Sequence, residues 1–79
     1  MLKNKNNAII EQAMDDLGCS TRAELADRIN QVLGEEVVTP EMVSAWGSRF
    51  PSYWMLRWMA EKNHGAVGKM AKGLLEVKG

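Results

Sequence analysis

Few side chains in this chain could do covalent chemistry. It has one histidine, His64, and one cysteine, Cys19, among 79 residues. Nucleophilic catalysis needs a nucleophile with a base in reach, and two isolated residues give little to build from. The ten carboxylates fall at spacings that place them on polar helix faces, where solvation accounts for them. The chain therefore does not read as an enzyme. It also lacks the Cys/His spacing of a metal site, and no metal or cofactor is expected. Cys19 alone cannot close an internal disulfide, which fits a reducing, cytoplasmic setting. Its simplest role is that of a small residue in a helix connection.

The informative chemistry lies instead in hydrogen-bonding groups at helix starts. Thr21 and Glu24 form a T-x-x-E capping box, in which hydroxyl and carboxylate satisfy backbone N–H groups reciprocally. Thr39 followed by Pro40 is an N-cap with proline at the first helical position, where the missing N–H costs nothing. After Pro40, Met42, Val43 and Trp46 make a short apolar stripe that anchors one side of a helix and leaves the other free. One supported helix and one presented helix, joined by a turn bearing Gly34, are the parts of a helix-turn-helix.

The rest of the chain supplies elements to hold that pair. Residues 1–7 are polar and read as a flexible arm. Ala8, Ile9, Ala13, Met14 and Leu17 recur at helical spacing and stop at Gly18. The next helix places Leu25, Ala26, Ile29, Val32 and Leu33 on one face. The presented helix runs from about Pro40 to Ser48. Pro51 is expected to start a fourth helix, with Phe50 covering the joint. That helix is apolar on more than one face, through Tyr53, Trp54, Met55, Leu56, Trp58 and Met59. After Gly65 a last helix carries Val67, Met70, Ala71, Leu74 and Leu75 on a stripe. Gly68 and Gly73 weaken it by roughly 1 kcal/mol each relative to Ala, so it needs packing, plausibly against a second subunit. The expected architecture is all-α: a compact bundle of about five helices containing a helix-turn-helix, a single domain over residues 1–79. At 46% hydrophobic the chain can bury a core, and no apolar run approaches a membrane span.

Charge qualifies the functional reading. The net charge is zero, whereas nucleic-acid binders usually carry excess bases to meet phosphates. The charges are segregated, however. Residues 11–41 hold eight acids against Arg22 and Arg28, and residues 42–79 hold six bases against Glu61 and Glu76. Such a molecule can still show a basic face, and a dimer would double its contacts.

The segment L-A-x-x-I at Leu25–Ala26–Ile29, then a turn, then T-P-E-M-V-S-x-W at 39–46, resembles the DNA-binding domain of phage lambda-repressor-like regulators. Residues 44–65 are similar to the segment after the recognition helix in the repressor, Cro and late-control activator types. There an S-x-W, a proline, a hydrophobic helix ending near an acidic residue, and a glycine occur in that order. The resemblance covers roughly residues 8–65. It implies sequence-specific binding of double-stranded operator DNA by a homodimeric transcriptional regulator, most simply a repressor, in the cytoplasm of a bacterial host. One departure is the interval from Ala26 to Val43, longer than in the family's compact motif. Either the supporting helix extends through Gln31-Val32-Leu33 or the turn carries an insertion at Gly34-Glu35-Glu36.

With Val43 and Trp46 turned inward, Glu41, Ser44, Ala45 and Ser48 face outward. Glu41 stands where the resemblance places a reading residue. It could accept from cytosine N4, or it could simply complement the helix dipole. Ser44 suits a base edge or a phosphate, Ala45 a thymine methyl, and Arg49 a phosphate or guanine. Thr39 can cap its helix and touch a phosphate, and Arg22 is a phosphate candidate on the supporting helix. Arg28 is placed to pair with Glu24 at i, i+4. Trp46 reads as core. Trp54 and Trp58 read first as core and second, with Met70 and Leu74, as a dimer seam. A competing reading keeps the scaffold without DNA: a protein-interaction module, such as an antirepressor or a phage inhibitor of a host protein like RNA polymerase. Zero net charge, Glu41 and the long turn favour it.

Overall fold

A computed structural model describes residues 5–46 and 51–78 of the chain. It is all-helical, with α1 over Lys5–Leu17, α2 over Arg22–Leu33, α3 over Pro40–Ala45, α4 over Tyr53–Lys62 and α5 over Ala66–Lys78. The main packing pairs are α4 with α5, α1 with α5, and α2 with α3. Apolar positions spaced three and four apart turn inward from each helix. Ile10, Leu25, Ile29, Val43, Leu56, Met59, Val67 and Leu74 are sealed completely from solvent. Among the described residues no helix is long and apolar enough to cross a membrane.

Helix ends follow local chemistry. Gly18 takes a left-handed conformation, φ 70°. There Cys19 N–H donates to Met14 O at 2.8 Å and Gly18 N–H to Asp15 O at 3.2 Å, the two bonds of a Schellman motif. The other end of α1 departs from expectation. Lys5, Asn6 and Asn7, expected within a flexible arm, form its first turn. Their helical state is sustained by tertiary bonds, because Asn6 is buried and both asparagines bond across the fold.

α4 begins at Tyr53 rather than at Pro51. Ser52 is its N-cap, its hydroxyl accepting from Met55 N–H at 3.1 Å. Pro51 is buried just outside the helix. Phe50 lies outside the described residues.

Gly68 of α5 is explained within the chain. A Cβ on Gly68 would collide with the Asn63 carbonyl, so only glycine lets α5 approach the end of α4 so closely. Asn63 Oδ1 completes that joint, accepting from Gly65 N–H at 2.9 Å and Gly68 N–H at 3.2 Å. At Gly73 a Cβ would meet Ile9 of α1 at 3.4 Å, an ordinary van der Waals contact, so packing does not require glycine there. Met70 and Leu74, considered above for a dimer seam, are 2% and 0% exposed: they are used up by this core.

Candidate nucleic-acid interface

The α2–α3 pair is built from its caps inward. Thr21 Oγ1 accepts from Glu24 N–H at 3.1 Å. Glu24 Oε1 accepts in turn from Thr21 N–H at 3.1 Å and Ser20 N–H at 2.7 Å. The capping box is complete, and it occupies the carboxylate expected to pair with Arg28: among the described residues no Glu24–Arg28 ion pair forms. The backbone donors at the helix start take Glu24 backward, away from Arg28 one turn on.

The interval between Ala26 and Val43 is filled by a long α2 and a connection of several residues. α2 continues through Leu33, and a turn over 34–39 follows. Gly34 ends the helix with φ 77°, its N–H donating to Asn30 O at 2.8 Å. Asn30 then supplies most of the turn's hydrogen bonds, beside one from Val37 N–H to Glu35 O at 3.2 Å. Its Oδ1 accepts from Val37 N–H at 3.0 Å and Val38 N–H at 2.9 Å. Its Nδ2 donates to Val38 O at 2.8 Å. Three backbone groups that a helix or strand would have satisfied are met by one amide, while buried Val38 ties the turn to the core. The turn is long and yet held.

α3 starts at Thr39, whose hydroxyl accepts from Met42 N–H at 3.2 Å, with Pro40 in the first turn. Val43 and Trp46 are buried and Met42 half-buried, so the helix is seated by one face. Thr39, Glu41 and Ser44 are exposed, as expected, while Ala45 is half-buried. Ser48 and Arg49 lie outside the described residues, as does the expected extension of the helix to Ser48.

Arg22 sits apart from Thr39. Asn30, which grips the residue before Thr39, stands about 12 Å along α2 from Arg22 at 1.5 Å per residue. The long supporting helix thus spreads the phosphate candidates over both of its ends. At the Arg22 end, Nη2 donates to Asn7 Oδ1 at 3.2 Å, and Asn6 Nδ2 donates to Trp46 O at 3.1 Å. The first turn of α1 therefore joins the start of α2 to the end of α3.

Outside this pair, α4 presents an aromatic surface. Trp54 is 75% exposed and Tyr53 47%, their rings 5.5 Å apart and edge-on at 80°. The core role first read for Trp54 is thus overturned, since the fully sealed Leu56 and Met59 take the inner face of α4. Trp58 is half-buried, with the Lys62 ammonium 5.4 Å from its ring centre. Arg57 bonds Tyr53 Oη at 3.5 Å and Glu61 at 3.4 Å. The Tyr53 hydrogen bond, followed by the charges of Tyr53 and Glu61, raises Arg57 above its ordinary value.

Sequence reasoning missed Asn6, Asn7 and Asn30. Only Asn30 left a signal: a weak helix former two turns into an amphipathic helix, where it sits just before a stretch without its own ladder. No group of three His, Cys, Asp or Glu side chains able to hold a metal occurs among the described residues. Compared with protein-family models, curated proteins and solved structures, the chain matches none.

Proposed function

We propose that this chain is a helix-turn-helix regulator of the phage lambda-repressor-like type, binding double-stranded operator DNA as a homodimer and acting as a repressor in the cytoplasm of a bacterial host. The observation that carries this reading is α3: a capped helix seated by Val43 and Trp46, with Thr39, Glu41 and Ser44 turned to solvent from a turn that Asn30 holds rigid. Base readout needs short polar side chains on a helix whose position is fixed by its support. Arg22 and Thr39 serve as phosphate contacts, Glu41, Ser44 and Ala45 face base edges, and Ser48 and Arg49 extend the site beyond α3.

Selection from a random duplex library at about 100 mM salt tests the proposal. The expected result is an enriched motif with two-fold symmetry, its half-site spacing measuring the separation of the two recognition helices. A folded protein that enriches nothing contradicts it.

One observation favours a second reading. Tyr53 and Trp54 expose a paired aromatic surface on α4, the kind of patch that marks a protein partner. In that reading the chain is an interaction module, an antirepressor or an inhibitor of a host protein such as RNA polymerase. Trp54→Ala separates the two: a folded wild type that ignores duplex DNA and loses a protein partner on Trp54→Ala favours the module, whereas operator binding unchanged by Trp54→Ala favours the regulator.

A further inference from the structure

We infer that Asn7 is a positioning residue for an oxyanion-binding arginine: its amide oxygen holds the Arg22 guanidinium without neutralising it, ready for a phosphate oxygen. The identity of the macromolecule rests on the DNA-binding reading; the anion site itself does not.

Three observations converge. Arg22 Nη2 donates to Asn7 Oδ1 at 3.2 Å, across 15 positions of sequence, so two helices fix one side chain. Nη1 of the same guanidinium is closed off from solvent and has no acceptor. An N–H closed to water is closed to an oxyanion as well, so Nη1 shows how tightly the fold confines the guanidinium, and a ligand must meet its remaining donors.

The third observation is what Arg22 is not paired with. On α4, Arg57 is paired with Glu61, and Lys62 with Glu35 of the turn. Arg22 lies in the most acidic part of the sequence and still donates its hydrogen bond to a neutral amide oxygen. A carboxylate at position 7 would cancel the charge and occupy the guanidinium's bidentate edge. An amide oxygen restrains the same side chain and leaves its full charge for a ligand. Restraint before binding lowers the entropy lost on binding. The anchor is itself referenced to the recognition helix, since neighbouring Asn6 donates to Trp46 O at the end of α3.

The test compares wild type with Asn7→Ala, Asn7→Asp and, as a control, Ala8→Asp, which adds the same charge one residue on at an exposed position. Circular dichroism first establishes folding; Asn7→Asp keeps the shape and the acceptor should Asn7→Ala fail. The readouts are the side-chain nitrogen resonances of Arg22 and the slope of log affinity against log salt. They are recorded with a short mixed-sequence duplex and, separately, with inorganic phosphate.

The inference expects duplex to shift the Arg22 resonances. It expects Asn7→Ala to weaken binding about three- to tenfold, the worth of one ordinary hydrogen bond. Asn7→Asp should reduce the salt slope by about one, as removal of one phosphate contact does, with Ala8→Asp close to wild type. Should only inorganic phosphate shift Arg22, in wild type and not in Asn7→Asp, the anion site stands and the DNA reading falls. Duplex binding that leaves Arg22 unmoved, or equal slope changes in Asn7→Asp and Ala8→Asp, overturns the role of Asn7 and spares the DNA reading. Arg22 resonances indifferent to both anions overturn the inference.

Discussion

Two regions of this molecule treat charge and aromatic surface in opposite ways. In the α2–turn–α3 region Trp46 is buried, the outward face carries Thr39, Glu41 and Ser44, and Arg22 is held by an amide. In α4 the cations Arg57 and Lys62 are paired with carboxylates, and the aromatic rings of Tyr53 and Trp54 are exposed. A region that keeps an unneutralised arginine on α2 and presents the hydroxyls of Thr39 and Ser44 on α3 suits an anion with readable edges. One that neutralises its cations and exposes rings suits an apolar partner or a second copy. The difference explains how a chain of zero net charge can be proposed to bind DNA: what matters is which cations remain uncompensated, and where.

The largest expected effect tests whether α3 is seated as described. Trp46→Ala should destabilise by about 3–5 kcal/mol in chemical denaturation, through the cavity left under α3. A folded variant of near wild-type stability would mean that α3 is not anchored there. Asn30→Ala leaves Val38 N–H and Val38 O without their partner and Val37 N–H with Glu35 O alone, at an expected cost of about 2–3 kcal/mol. Its loss should be felt in the turn first, so amide exchange at Val37 and Val38 should rise ahead of exchange in α5. Equal exchange throughout would erase the claim that the turn has its own lock. Gly34→Ala meets no steric contact but must hold φ 77°, for about 1 kcal/mol. Trp54→Ala should change stability by less than about 0.5 kcal/mol. A cost of several kcal/mol would place Trp54 in packing and weaken the contrast between the two regions.

Much of this contrast was legible in the sequence because it is local. Both caps, the glycine stops and the inward stripe of α3 follow from residues within one helical turn of each other. The reading failed where partners are distant in sequence. Asn6 and Asn7 resemble an unstructured polar start until Trp46 and Arg22 come to meet them. The carboxylate of Glu24 had two possible partners, and the backbone won over Arg28. α4 was apolar on more faces than a core needs, and sequence periodicity could not say that Trp54, rather than Met59, would be left outside. The glycines of α5 signalled a need for packing but not with whom; for Gly68 the answer, Asn63, is set by the tertiary arrangement.

The central claim is that the outward face of α3 reads bases. Parallel selections from one random duplex library, with wild type and with Glu41→Gln, test it most directly. A carboxylate can only accept, favouring cytosine N4, whereas glutamine prefers adenine N6 and N7. The account predicts a symmetric motif for wild type and a change at one position of each half-site for Glu41→Gln. An identical motif from both proteins, or none from either while folded, would contradict it.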